Sequence, residues 1–357
     1  MADTTFVNGV TLTDADWFND VNRLHYTIFG DPSNAVTALA NLSAVAPGQG
    51  ILLNGQIVTS VGSNALTIAI KGADGNDPSS TNPVSVAFRS ATLTTSGYTI
   101  RKITAALSLV VSSGSTLGHA SALACHLFVY LIDNSGTVEL AVSNLPPDYP
   151  GTFANTRLIS TTAEGGAGAA DSATGIYSTT ARSNVPWVCV AMMKSTQTTA
   201  GTWSAAMTQV DQAPFQIPRC EFSVSKAATQ SVGINAFTKY QFDTEIYDFD
   251  STYDATTNYR HQPNIAGVYR YHHRNYATLG SADNRLDAAI YKNGASVATN
   301  YGYTPVGSGF PTSPAYVEVL MNGTTDYAEG YVRQTDSNPL NVGDGNSYNT
   351  QFMGGRV

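Results

Sequence analysis

Apolar and polar residues alternate in short runs along most of the chain, and clusters of Gly, Asn, Asp, Ser and Pro separate the runs. Such alternation predicts half-buried β-strands rather than helices. In residues 46–215 the predicted strands are 50–58, 65–70, 84–89, 98–103, 107–111, 124–131, 138–142 and 185–193. In residues 216–357 they are 237–249, 265–271, 286–291, 295–299, 316–321, 327–334 and 348–354. The pattern therefore predicts an all-β protein.

Turn residues divide this β-rich chain into two parts. Asn293-Gly294, between two predicted strands, indicates a tight hairpin because both residues tolerate a positive φ. Residues 161–176 are of low complexity and are predicted to form a long surface loop, whereas residues 211–218 carry two prolines and are predicted to be a linker. We therefore expect two successive β-sandwich, jelly-roll-like domains, a middle domain over 46–215 and a head over 216–357.

The first 45 residues have a different pattern, in which a short extended segment precedes a predicted helix at about 14–29. Thr13 is a good N-cap, and Gly30 with Pro32 would end the helix. Its apolar stripe follows helical spacing and consists of Trp17, Phe18, Val21, Leu24 and Ile28. A single helix cannot bury this stripe alone. We expect residues 1–45 to anchor the chain to another protein, and an ordinary capping helix of the next domain is the alternative.

Composition and charge narrow the classes of partner. Charged residues make up 12% of the 357 residues, and the net charge is −8 with no run of Lys or Arg, which argues against nucleic acid as a partner. No apolar run is long enough to insert into a membrane, and the N-terminus has no signal-peptide pattern, so we expect synthesis in the cytoplasm. The three cysteines, Cys125, Cys189 and Cys220, are expected to act as small buried apolar residues.

No catalytic signature is present, so we do not expect an enzyme. Asp243 and Glu245 point the same way along a predicted strand, but nothing else supports the carboxylate pair of a glycosidase. His272 and His273 are adjacent on a strand and must face opposite sides, so one chain cannot use both on one ion. One of them could hold a metal at a threefold axis, although a polar or interfacial role is the simpler interpretation.

Acidic loops are candidate calcium sites. Asp248, Asp250 and Asp254 lie close together in the head, and Asp74 and Asp77 lie in the middle domain. Calcium favours oxygen-rich loops, but neither stretch has the spacing of a complete calcium loop. The alternative is an ordinary turn in which an Asp side chain bonds the backbone, and we expect no obligatory cofactor.

Most of the nineteen tyrosines lie between residues 240 and 331. Tyr suits subunit interfaces and recognition surfaces, and it also occurs simply at strand edges, so both interpretations remain open. The residues predicted to form the trimer interface or the head core are Phe242, Tyr269, Tyr271, Ile290, Tyr331, Tyr348 and Phe352.

The head resembles the complement globular head and tumour-necrosis-factor superfamily. The likeness is carried by residues 242–245, 266–269 and 289–294 and by the terminal Tyr348, Phe352 and Gly354. The segment Asn322-Gly323-Thr324-Thr325-Asp326 departs from the plain Gly-Asp of that family, and the last strand ends less apolar than usual. The resemblance implies a ten-stranded jelly roll, a homotrimer, a binding surface and no enzyme, and some members of that family bind calcium.

The N-terminal segment resembles the adaptors of bacteriophage tail fibres through residues 17–22 and 30–32. The chain is therefore expected to be a virion structural protein, a homotrimeric tail fibre or appendage. The N-terminus would bind a tail or portal protein, and the head would bind a host glycan or protein. The alternatives are a capsid head fibre or decoration trimer, a lectin-like adhesin, and an enzyme acting on surface polysaccharide.

Overall fold

A computed structural model describes residues 52–89, 98–148, 158–159, 161–163, 175–213, 217–277, 284–303, 314–343 and 349–357. In these ranges every regular element is a β-strand, which confirms the all-β prediction. None of the described residues forms a helix with the length and apolarity needed to cross a membrane. The predicted anchor, including Trp17, Phe18, Val21, Leu24 and Ile28, lies outside the described residues.

The described residues of the first block, 52–213, contain twelve strands, and each of the eight predicted strands overlaps one of them. They are β1 (Gly55–Gly62), β2 (Ala65–Gly72), β3 (Val84–Arg89), β4 (Tyr98–Ile103), β5 (Leu107–Val111), β6 (Ala124–Asn134), β7 (Thr137–Ser143), β8 (Leu158–Ile159), β9 (Thr161–Ala163), β10 (Ile176–Ser178), β11 (Val185–Thr196) and β12 (Gln209–Gln212). β9 and β10 pair in parallel, so the two ends of the predicted 161–176 loop are strands. The predicted 211–218 linker begins inside β12.

The largest sheet of this block has the order β12-β11-β6-β7-β10-β9, with β8 on β11. Smaller sheets, β1-β2-β5 and β3-β4, accompany it. β6 is buried on both faces, which explains its nearly continuous apolar sequence. Leu127, Val129 and Leu131 belong to the apolar cluster shared with the smaller sheets, whereas Phe128 and Tyr130 belong to a second cluster.

The described residues of the second block, the head, contain thirteen strands. They are β13 (Phe222–Ser225), β14 (Gln230–Val232), β15 (Thr238–Lys239), β16 (Thr244–Asp248), β17 (Tyr253–Asp254), β18 (Arg260–His261), β19 (Gly267–Arg274), β20 (Arg285–Lys292), β21 (Ala295–Tyr303), β22 (Ala315–Met321), β23 (Ala328–Gln334), β24 (Leu340–Val342) and β25 (Gln351–Arg356). The hairpin between β20 and β21 turns at Asn293 and Gly294, whose φ angles are 51° and 78°, as the sequence predicts.

Most described strands of the head form a sandwich of two sheets, and β14 and β24 pair in a separate two-stranded sheet. A five-stranded sheet has the order β16-β13-β25-β19-β22, and a six-stranded sheet has the order β17-β18-β23-β20-β21 with β15 on β23. Inward-facing rings such as Phe222, Tyr271 and Phe352 pack against each other within 6.2 Å between ring centroids. Their cluster also includes Leu286, Ala288, Ile290 and Val332 of the six-stranded sheet.

The predicted strand 237–249 is not one strand. It divides into β15 in the six-stranded sheet and β16 in the five-stranded sheet. Between them, Tyr240 and Phe242 are both buried, with ring centroids 4.9 Å apart. Alternation continues through this bend because both rings point into the same core while the chain crosses from one sheet to the other. Residue periodicity alone therefore could not reveal the break.

The apolar cluster of the head continues across the predicted domain boundary. It includes Phe128, Tyr130 and Met192 of the first block together with the head residues. Polar contacts accompany it, since His126 Nδ1 lies 3.3 Å from the carbonyl oxygen of Asn264. The two blocks therefore share buried surface in addition to the chain that joins them.

Candidate functional site

The outer face of the five-stranded sheet is the candidate site, because its side chains point away from the head core. Residues directly opposite each other on antiparallel strands share a face. The register places one residue from each strand in a single row: Tyr247, Ser223, Met353, His272 and Tyr316. The row begins and ends with a tyrosine on each edge strand.

A second row on this face is charged. Arg270 lies opposite Gly355 on one side and opposite Glu318 on the other. The guanidinium donates to Glu318 Oε1 through Nη2 at 2.7 Å and Nε at 3.1 Å, and it lies 5.8 Å from the centre of the Tyr316 ring. The hydrogen bond from Arg270 lowers the pKa of Glu318, so this exposed pair is ionised at neutral pH.

Large apolar side chains remain exposed at the two edges of this face. Tyr316 and Leu320 on β22 are 53% and 43% exposed. On the opposite edge, the stacked rings of Tyr247 and Phe249 are 41% and 60% exposed, with centroids 5.2 Å apart. We call the set Tyr247, Phe249, Arg270, His272, Tyr316, Glu318, Leu320 and Met353 the five-strand face.

A broad groove of about 910 Å³ crosses the centre of this face over β25. Its floor includes Gly355, where a side chain would not fit, since a Cβ there would lie 2.6 Å from Cγ of Glu221. Arg356 pairs with Asp148 of the first block at the groove wall.

The structure buries most of the residues that the sequence nominated for the trimer interface or the head core. Phe242, Tyr269, Tyr271, Ile290 and Phe352 have no exposed surface and pack in the head core. Tyr331 is half-buried on the six-stranded sheet, and Tyr348 lies outside the described residues.

Burial of these five residues fits the head-core part of that prediction, and of the residues of the five-strand face the sequence analysis had named only His272. The signal was present in the strict alternation of β19, where Tyr269 and Tyr271 face inward while Arg270 and His272 face outward. Selecting residues by aromatic content favoured the core. The partially polar positions between them form the accessible face.

The two adjacent histidines face opposite sides, as the strand geometry requires. His273 is fully buried, and its Nδ1 lies 3.1 Å from the carbonyl oxygen of Ala289. Burial lowers its pKa to about 4, so it is neutral at pH 7. His272 is half-buried on the five-strand face, where burial and Arg274 lower its pKa. Of these two histidines, only His272 lies on a surface that another chain could contact.

The carboxylates proposed for calcium hold turns. Asp248 accepts a hydrogen bond from the backbone N–H of Tyr253 at 2.8 Å, and burial raises its pKa. Asp254 accepts from the backbone N–H groups of residues 256–258 at 2.9–3.0 Å. Although burial alone would raise the pKa of Asp254, these bonds lower it. Asp250 adopts a φ of 75° in the same turn. Among the described residues, no three His, Cys, Asp or Glu side chains form a metal-binding group.

Three of the remaining acidic candidates, Asp243, Asp74 and Asp77, also have local partners. Asp243 pairs with Lys226, and Glu245 lies exposed on β16. In the first block, Asp74 accepts from the backbone N–H of Asn76 at 3.0 Å, and Asp77 pairs with Lys71 at 2.7 Å. These contacts are typical of turns.

Comparisons with known proteins find structural likeness only. No protein-family model matches the chain, and no curated protein matches it. The solved structure of Eiger, a tumour-necrosis-factor protein of S. frugiperda, is 13% identical, with a TM-score of 0.29 over 40% of this chain and 94% of Eiger. Murine APRIL, solved at pH 5.0 and at pH 8.5, is 7% identical, with a TM-score of 0.29 over 39% of this chain and 99% of APRIL. The chain is thus weakly similar in structure to tumour-necrosis-factor jelly rolls.

Proposed function

We propose that the chain is a structural protein of a virus particle, namely a homotrimeric bacteriophage tail fibre or tail appendage. In this proposal residues 1–45 bind a tail or portal protein, and the head binds the host surface. The observation that carries the self-association is the five-strand face, on which large apolar side chains remain exposed at both edges of a sheet whose other face forms the head core.

Burial of this face between copies of the chain would stabilise an assembly. Removing a large apolar side chain from water contributes roughly 1.5–3 kcal/mol when burial is complete. Tyr247, Phe249, Tyr316 and Leu320 are each more than a third exposed and could contribute in this way. Arg270 and Glu318 supply charges of both signs, so a neighbouring copy can re-pair them without leaving a buried charge unpaired.

The attachment to a particle is supported by the sequence. The apolar stripe from Trp17 to Ile28 needs a partner surface, and its pattern resembles tail-fibre adaptors. The low proportion of charged residues suits a chain that hides much of its surface in an assembly. These two features together support the proposed virion localisation.

Self-association is tested by introducing a charge into the five-strand face. We expect Leu320→Glu to convert a trimer into single chains, because an unpaired carboxylate at an apolar interface is costly. Val110→Glu is the matched control, since Val110 is similarly exposed, at 48% against 43% for Leu320, but lies on β5 in the first block. Light scattering reports the mass of each variant. Equal masses for both variants would contradict an interface on the five-strand face.

Particle attachment is tested by deleting residues 1–30. The truncated chain should keep the mass of the full-length assembly but no longer join particles, because the apolar stripe has been removed. Incorporation is measured by quantifying the protein in purified particles. Normal incorporation of the truncated chain would overturn the anchoring role.

A further inference from the structure

The outer face of the six-stranded sheet carries an unusual row of side chains. The register places Arg333 opposite Asp287 and Asp287 opposite Tyr301, and Arg285 lies opposite Tyr303. Phe237, next to β15, contacts Arg333 at the other end of the row. We call these six residues the arginine–tyrosine face.

A buried carboxylate fixes both arginines. Asp287 has no exposed surface. Arg285 donates to its two oxygens through Nε at 3.1 Å and Nη2 at 2.8 Å. Arg333 donates to Oδ2 through Nε at 2.7 Å and also through Nη2. The two guanidinium groups are therefore held in place before any ligand arrives, which lowers the entropy cost of binding.

Each arginine keeps donors for a ligand. A guanidinium has five N–H donors. Each arginine uses two of them on Asp287, and its other three make no hydrogen bond to the described residues. Two arginines against one carboxylate leave a net positive charge, and the neighbouring Lys239–Glu329 pair is balanced. This face is thus locally positive on a chain of net charge −8.

Aromatic rings lie directly beside these donors. The guanidinium of Arg285 lies 4.4 Å from the centre of the Tyr301 ring, and that of Arg333 lies 4.8 Å from the Phe237 ring. Tyr301 and Tyr303 are 51% and 57% exposed, with centroids 5.4 Å apart and ring planes at 84°. The two nearly perpendicular tyrosine rings therefore offer a ligand two differently oriented apolar surfaces at one place on this face.

We propose that the arginine–tyrosine face binds an acidic sugar residue of a surface glycan. The sugar carboxylate accepts hydrogen bonds from the free N–H groups of Arg285 and Arg333, which are charge-assisted. The apolar face of the sugar ring packs on Tyr301 or Tyr303. The tyrosine hydroxyls form hydrogen bonds with the hydroxyls of the sugar. This inference rests on the proposed function in taking the head as the part that meets the host.

The face fits a sugar better than a protein partner. A stable protein interface buries about 800 Å² on each side, usually around a central apolar anchor. The arginine–tyrosine face instead places fixed cationic donors so close to an exposed ring that a single sugar residue can contact both. That combination matches a ligand with one carboxylate and one ring-sized apolar surface.

The test uses the full chain and two matched pairs of sugars. One pair is a tetrasaccharide of glucuronate and N-acetylglucosamine with its carboxyl-reduced form, and the other is 3′-sialyllactose with lactose. Calorimetry should show that at least one acidic sugar binds. The Kd of its neutral partner should be at least about tenfold larger. Arg333→Gln and Tyr301→Ala should each weaken binding of the acidic sugar about tenfold or more.

Tyr98→Ala is the matched control, because Tyr98 also lies near an arginine, Arg89, but in the first block. It should leave the Kd unchanged. Failure of both acidic sugars to bind, equal binding of the neutral partners, or binding unaffected by Arg333→Gln and Tyr301→Ala would each overturn the proposal. The mass of each sample is measured in parallel. If the protein is a trimer but binds no sugar, only this inference is contradicted. If it is a single chain that binds sugar through Tyr301, only the proposed self-association is contradicted.

Discussion

His261 shows how single buried side chains tie the stability of the head to pH. Its Nδ1 lies 2.9 Å from the hydroxyl of Tyr271, and its Nε2 lies 3.0 Å from Oγ1 of Thr252. The ring also stacks on Phe222 at 4.3 Å between centroids. Burial lowers the pKa of His261 to about 3, so the folded state holds the imidazole neutral. His119, in the first block, is similarly buried, with a pKa of about 4.

The head should lose stability as the pH falls below about 6.5. The unfolded His261 takes up a proton near pH 6.5, whereas the folded residue does so only near pH 3. The unfolded state therefore binds more protons between these values, and the free energy of unfolding falls as the pH falls. Each such histidine contributes a slope of about 1.4 kcal/mol per pH unit.

His261→Gln isolates this contribution, because glutamine keeps hydrogen-bonding groups and does not titrate. We expect its free energy of unfolding to depend less steeply on pH than that of the wild type, by about 1.4 kcal/mol per unit between pH 4.5 and 6. Urea denaturation at a series of pH values measures both slopes. Parallel slopes would show that His261 does not titrate as the burial implies.

At the scale of elements, the turn between β22 and β23 is held by its own side chains. Oδ1 of Asn322 accepts from the backbone N–H groups of residues 324–326 at 2.9–3.0 Å. Gly323 has a φ of 71°, and a Cβ there would lie 2.2 Å from the backbone nitrogen of Ala266. Only glycine fits both the angle and the close approach.

Gly323→Ala should therefore destabilise the head. The left-handed backbone alone costs an L-residue about 1–2 kcal/mol, and the contact with Ala266 adds to it. Gly62→Ala is the matched control, because Gly62 ends β1 without a positive φ and a Cβ there meets nothing within 4 Å. Thermal unfolding compares the two variants. A loss for Gly323→Ala no greater than that for Gly62→Ala would contradict the close approach.

The strands that the sequence predicted are those long enough to show a period. β2, β6, β11, β19 and β20 each have at least eight residues, and each was predicted close to its observed bounds. Strands of two or three residues, such as β8, β14 and β24, are too short for alternation to mark them. Their pairing depends on distant partners, as when Gln230 of β14 pairs with Val342 of β24. Local sequence carries no trace of such contacts.

At the scale of the molecule, the sequence predicted the all-β class of the fold, whereas the grouping of outward-facing residues into two faces depends on strand register. Tyr269 and Tyr271 were predicted to lie in the trimer interface or the head core, and both are buried. The exposed face became visible only through the register, which aligns Tyr247, His272 and Tyr316 from strands far apart in the chain. The arginine–tyrosine face likewise depends on Asp287 meeting Arg333 across two strands. Both faces are properties of strand order.

The two faces give the head a consistent arrangement. The five-strand face carries exposed apolar edges and suits other copies of the chain, whereas the arginine–tyrosine face carries fixed positive donors and suits a small acidic ligand. They lie on opposite sheets of the sandwich. Assembly through the first face therefore leaves the second face free, and a trimer would present three copies of it.

The central claim is self-association, and the mass of the full-length chain in solution tests it most directly. Sedimentation equilibrium over a hundredfold range of concentration gives that mass without reference to shape. We predict a mass equal to three chains over the upper part of the concentration range. Any dissociation of this trimer should appear only on dilution. A single chain at every concentration would contradict the assignment of the five-strand face and the trimeric appendage built on it.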